Sequence, residues 1–154
     1  PLRVDENLRA FVLLLSAHFQ GFCRDLYSEC SQRVIDFARR SQRGMLRGQC
    51  DTGRKLDAGN PTLLNIRGDF QRFGFTLDLP AHHPANARRI TDLGHLNAWR
   101  NTAAHQGIPP TGVPPLTLAA VLAWRGTCDG LAESLDAILY NEIRAIIGRR
   151  PWRP

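Results

Sequence analysis

The sequence predicts an all-α fold: an up-and-down bundle of four main helices joined by irregular connections and a few short helices. Three observations carry this. Apolar residues recur at three- and four-residue steps over long segments, no strand-like alternation runs longer than Phe73 to Leu79, and glycine and proline punctuate the chain where the helical period lapses. The chain has 154 residues, one ordinary domain's worth, and is expected to form a single domain over 1–154. No repeat is visible at a period of 20 to 50 residues.

From Asp5 to about Arg43, the residues Leu8, Phe11, Leu15, Phe19, Phe22, Leu26, Val34 and Phe37 mark an amphipathic helix. Unbroken, it measures about 58 Å against an expected radius of gyration of about 15 Å, which predicts a bend or break near Gly21 or Cys30. The stretch 44–59 carries Gly44, Gly48, Gly53 and Gly59 with no apolar period and is expected to be a loop. Asn60 before Pro61 predicts an N-cap with proline in the first turn, opening a short helix through Leu63, Leu64 and Ile66 to Phe70 or Phe73, closed by Gly74. After a connector with Pro80, His82, His83 and Pro84, a third helix runs through Ile90, Leu93 and Leu96 to His105, where Gly107, Pro109 and Pro110 stop it. Thr117 caps a final helix of about thirty residues that ends at Gly148, with Gly126 and Gly130 weakening its middle.

The 43% hydrophobic content suffices for a core of this size, and composition excludes collagenous, coiled-coil and strongly disordered classes. No apolar run approaches the roughly 20 residues needed to cross a bilayer, and Ala10 to Leu15 does not have the build of a signal peptide, so a soluble, cytoplasmic protein with no membrane partner is expected. Cys23, Cys30, Cys50 and Cys128 lack metal-site spacing and read as free thiols. The net charge is +6. Lys55 is the single lysine among the 20 basic residues, leaving nineteen arginines, which favour a polyanionic partner such as nucleic acid or simply solvate helix faces.

The informative segment is Leu96-Asn97-Ala98-Trp99-Arg100-Asn101-Thr102-Ala103-Ala104-His105-Gln106-Gly107. At about 100° per residue, with Asn97 at zero, Leu93 lies near about −40°, Leu96 near −100° and Arg100 near −60°. The arginine therefore points into the apolar arc, where a buried guanidinium needs an anion. Asn101 near about +40° and His105 near about +80° lie on the adjoining polar side, so Arg100 and His105 stand some 140° apart. Two copies related by a two-fold axis can bring them together in a shared cleft.

Arg100-Asn101-Thr102-Ala103-Ala104-His105 resembles the Rx4-6H signature of HEPN domains, including its polar residue after the arginine. Leu14-Leu15-Ser16-Ala17-His18-Phe19 with Phe22 and Asp25-Leu26, and the ending Ile147-Gly148-Arg149-Arg150-Pro151-Trp152, are similar to the bacterial RiboL-PSP-HEPN branch. The resemblance implies a homodimer that cuts RNA without a metal or other cofactor, with Arg100 and His105 catalytic and Asn101 orienting the imidazole or touching phosphate. It also implies a toxin or defence role with a cognate antitoxin or defence-system protein as partner. Because many HEPN domains act as binding or dimerisation modules, a non-catalytic module engaging a nucleotidyltransferase-type antitoxin or a nucleotide is the alternative.

Arg39, Arg40, Arg43 and Arg47, with Arg54 and Lys55 following, are candidates to track an RNA backbone, or else a solvated helix end. Trp152 among Arg149, Arg150 and Arg153 is a candidate base-stacking residue, outweighed by a role as a closing anchor. Asp51-Thr52-Gly53 lacks the β-rich setting of an aspartic protease, His18, His82, His83 and His95 lack ligand spacing, and Arg67-Gly68-Asp69 is read as a coincidental tripeptide.

Overall fold

A computed structural model describes residues 2–105 and 107–152, and among them the only regular secondary structure is helical. Three long helices build the core: α1 (Leu2–Phe37), α6 (Asn86–Ala104) and α7 (Leu118–Ile147). Four shorter ones lie between α1 and α6 in the chain: α2 (Arg43–Asp51), α3 (Lys55–Ala58), α4 (Leu63–Phe70) and α5 (Leu79–His82). The predicted second main helix is thus present as the eight-residue α4, followed by a 3-10 turn to Phe73 and by Gly74 at φ 88°. Its N-cap is Thr62, whose side chain accepts from the Asn65 N–H, and not Asn60.

Helix α1 is continuous through Gly21 and Cys30, about 54 Å for its 36 residues. No proline interrupts it, and it has a long partner to lie along. Leu14 and His18 share a groove with Arg125 and Asp129, and further on Arg33 and Asp36 share one with Ile147 and Arg149, so α1 and α7 run parallel. In contrast, Asn86 meets Ser134, Arg89 meets Gly130 and Asp92 meets Thr127, so α6 is antiparallel to α7 and hence to α1. Val12, Phe19, Tyr27, Leu93, Leu96, Trp124, Leu135 and Ile143 are among the side chains that close the core between them.

The segment 44–59 is not a loop. Its helices are short, and remote polar groups hold them. Arg72 donates from Nη1 to the carbonyls of Gln49 and Thr52 at 3.1 and 2.8 Å and from Nη2 to Gly53 at 2.6 Å, closing the C-terminal end of α2. The Tyr27 hydroxyl donates to the Cys50 carbonyl at 2.9 Å. The fully buried Asp69 accepts from the backbone N–H groups of Lys55 and Leu56, both at 2.9 Å, and so caps α3. The Arg67-Gly68-Asp69 tripeptide is therefore structural: Arg67 Nε also donates to the Leu77 carbonyl.

All four cysteines are buried free thiols. Burial pushes the Cys23 and Cys30 thiols far up, and that of Cys128 up to about 12, with the neighbouring Asp129 adding to the last. Trp152 packs edge-on against Tyr140 at 5.8 Å between centroids, as the anchor reading expects. Arg153 lies outside the described residues.

Candidate active site at the C-terminal end of α6

Helix α6 begins at Asn86, whose fully buried side chain donates to the Leu79 carbonyl and to Ser134 Oγ, and it ends where the backbone of His105 leaves the helix at φ −109° and ψ 9°. Trp99 fixes the connector that follows, its indole N–H donating to the Pro114 carbonyl at 2.9 Å. The last turns of α6 are thereby held while the side chains of Arg100, Asn101 and His105 face outward.

Arg100 is half-buried, not enclosed as the helical-wheel angles predict. The guanidinium escapes the apolar arc because its stem is long enough to carry the charged head to the rim. Its polar neighbour is neutral: Nη1 donates to Asn101 Oδ1 at 3.3 Å, and no ion pair engages it among the described residues. Four of the five N–H donors of the fork are left for an anion. Exposed His105 sits one turn on, its backbone N–H closing the helix on the Asn101 carbonyl at 3.1 Å.

Asn101, expected to orient the imidazole or to touch phosphate, has its side-chain oxygen engaged by two other residues. Its Oδ1 accepts from Arg100 and also from Asn60 Nδ2 at 2.7 Å, a contact across 41 residues. Asn60 is itself braced, its carbonyl accepting from Asn65 Nδ2 at 2.8 Å. Glycine at 59 leaves room for this contact, since a Cβ there stands 2.7 Å from that same Asn65 nitrogen and displaces it. Gln20 Nε2 donates to the Leu56 and Gly59 carbonyls at 2.6 and 2.8 Å, tying the same segment to α1. Sequence reasoning missed Asn60 as part of the site, and its position before Pro61 was the one available signal, read there as a cap.

Beside this pair lies a groove of about 490 Å³ between α6 and the first turn of α4. Leu63, Leu64, Ile90 and Leu93 give it apolar walls, and Asn60, Asn97 and Asn101 its polar edge. Asn97 is 5% exposed and its Oδ1 has no hydrogen-bond partner, although its Nδ2 reaches the Pro61 carbonyl at 3.4 Å.

The arginine-rich segment is not brought to this site. Exposed Arg39 and Arg40 follow the C-terminal end of α1, and Arg43 and Arg47 ride on α2, whereas the antiparallel α6 ends toward the other end of the bundle. Arg43 is engaged as a cap, donating to the Asp36 and Ala38 carbonyls at 2.8 and 3.1 Å. Arg54 stacks over the Tyr27 ring at 5.0 Å and pairs with Asp57. The histidines outside the motif do not assemble either: His83 Nδ1 accepts from the Ala85 N–H, His95 faces Asp92 at 3.8 Å, and no group of three or more metal-ligating side chains occurs among the described residues. Among the described residues, no helix is long and apolar enough to cross a membrane.

Compared with known proteins, the chain matches no protein-family model, and no curated protein or solved structure is significantly similar to it.

Proposed function

We propose that the chain is a metal-independent endoribonuclease of the HEPN type that cleaves single-stranded RNA, with Arg100 and His105 acting in a cleft between two copies. The observation that carries the reading is the state of Arg100: its guanidinium is oriented by Asn101 Oδ1, left without a counter-ion, and placed on the same helix end as an exposed histidine. An arginine prepared in this way stabilises charge that develops on a phosphate, and an imidazole takes up and returns protons beside it.

In the proposed step, the ribose 2′-oxygen attacks the adjacent phosphorus as His105 takes its proton. The new 2′-O–P bond replaces the P–O5′ bond, and a proton is returned to the departing 5′-oxygen, by the same histidine or by that of the second copy. The products are a 2′,3′-cyclic phosphate and a 5′-hydroxyl. Arg100 bears on the negative charge of the pentacoordinate phosphorus, and Asn101 acts as a positioning residue for the guanidinium. The resemblance of the motif to HEPN domains supports a toxin or defence role with a cognate partner protein.

The test is cleavage of end-labelled single-stranded RNA in EDTA beside a matched DNA. RNA alone is cut, leaving cyclic phosphate ends, and His105→Ala lowers the rate by roughly 10² to 10⁴. Mixing Arg100→Ala with His105→Ala chains restores part of the activity if the cleft is composite. Equal cutting by His105→Ala, or cutting of the DNA, overturns the mechanism, and a folded protein that cuts no RNA is a binding module.

A further inference from the structure

Residues 33–47 and 144–150 hold eight arginines and a single acid, Asp36, a net charge of +7, whereas the whole chain carries +6, so the rest of the chain sums to −1. The fold brings the two segments together. Arg33 and Asp36 on the last turns of α1 share a polar cleft of about 280 Å³ with Ile147, Arg149, Arg150 and Pro151, and Arg43 at the start of α2 donates to the Asp36 and Ala38 carbonyls. All eight arginines are exposed, and among the described residues only Arg33 has an ion pair, with Glu29. Glu29 and the ends of α1 and α7, each end equivalent to about half a negative charge, answer about two of the seven units. About five are left for a partner from outside.

Phe37 stands among these charges, 55% exposed, and the Arg43 bonds to the carbonyls on either side of it fix its backbone. An exposed ring amid unpaired guanidiniums is the combination that takes single strands, with arginines along the phosphates and an unstacked base on the aromatic face. A duplex offers only its phosphates, because its bases are already stacked. A lipid surface fits less well, since insertion needs a continuous apolar face. In α2, Cys50 is buried and Leu46 half-buried, which leaves Met45 alone turned outward. We propose that this end of the bundle, at the C-termini of α1 and α7, is a docking surface for a single-stranded nucleic acid, with Arg39, Arg40, Arg149 and Arg150 on its backbone and Phe37 under one base. It is separate from the candidate cleft. Asp92 on α6 meets Thr127 on α7; Arg100 lies eight residues beyond the first and Ile147 twenty beyond the second in the opposite direction, about 40 Å apart at about 1.5 Å per residue. The docking surface therefore stands or falls independently of the nuclease reading.

The test is fluorescence anisotropy of a labelled oligothymidylate DNA of about twelve nucleotides with the purified protein. DNA has no 2′-hydroxyl, so the proposed cleavage step leaves the probe whole. Affinity is expected to fall with salt with a log–log slope of about −3, as for four phosphate contacts on a single strand. Arg39→Gln with Arg40→Gln, and Arg149→Gln with Arg150→Gln, are each expected to flatten the slope by about 1.4. Phe37→Leu is expected to weaken binding roughly tenfold at unchanged slope and to leave binding of a duplex of the same length as it was. Arg88→Gln with Arg125→Gln removes the same charge from exposed positions outside this end and is expected to leave the slope alone. An equal loss from that control pair refutes a localised surface, and a Phe37→Leu protein that binds like wild type refutes the stacking of a single strand. Absence of binding at about 50 mM salt also overturns the proposal, as does capture on phosphatidylserine vesicles, lost in the arginine variants, without binding of the strand. Binding with this pattern by a protein that cuts no RNA refutes the nuclease and leaves the surface; cutting of RNA without the pattern does the reverse.

Discussion

Asp69→Ala is the substitution whose effect the structure fixes best. The carboxylate is fully buried and accepts two backbone N–H bonds at 2.9 Å from the first turn of α3, with Arg72 Nη2 3.8 Å away. A hydrogen bond to a charged group contributes about 1.5–3 kcal/mol; the lower end applies at Lys55, which is exposed so that water can reach its N–H once the acceptor is gone, and the upper end at the fully buried Leu56. The two bonds together give a loss of about 3–5 kcal/mol, which for a chain of this length lowers Tm by roughly 10 °C or more. Urea unfolding measures the loss, and hydrogen exchange at Lys55–Ala58 locates it. Because α3 leads directly into Gly59 and Asn60, the same variant loosens the Asn60–Asn101 contact. A loss below about 1 kcal/mol, or exchange unchanged in α3, refutes the view that a remote carboxylate holds this segment in helix.

Two glycines of α7 make a matched pair. A Cβ at Gly130 collides with the Arg89 guanidinium, which donates to the Gly130 carbonyl and to Asn86 Oδ1 at 3.1 and 2.9 Å, so Gly130→Ala is expected to lose about 1 kcal/mol net. Gly126 has open space and Gly126→Ala is expected to gain about 0.5–1 kcal/mol from helix propensity; shifts of the same sign in urea unfolding contradict this. The thiols give a pH dependence. The native protein keeps Cys23, Cys30 and Cys128 protonated while unfolded chains lose the proton above the ordinary value of 9.0, so the contribution of these three is full below that pH and is lost progressively on the way up to about 12 for Cys128. Each thiol steepens the fall by about 1.4 kcal/mol per pH unit, and urea midpoints unchanged between pH 9 and 10.5 contradict it.

The long helices are legible because their stability lies in a period of apolar residues that the sequence displays. Thr117 and Gly148 bound α7 where their cap chemistry says, and His105 terminates α6. What escaped was held by partners distant in sequence. Helices α2 and α3 depend on Arg72 and Asp69, and α1 stays whole because α7 lies along it, neither of which leaves a local mark. The arginine and histidine of the candidate site stand out in the chain, but its third amide does not: Asn60 reaches Asn101 only because Gly59, Asn65 and Gln20 steer the backbone there.

The parallel course of α1 and α7 sets the electrostatics of one end of the molecule. Helices that run the same way add their dipoles, so two carbonyl-rich termini, each equivalent to about half a negative charge, emerge together near Phe37 and Ile147. Around them stand Arg33, Arg43, Arg149 and Arg150, with Arg43 bonded directly to the Asp36 carbonyl of α1. About one unit of the positive charge that looks, in the sequence, like an invitation to a polyanion is thus already answered within the fold, as the counterweight of two aligned helices.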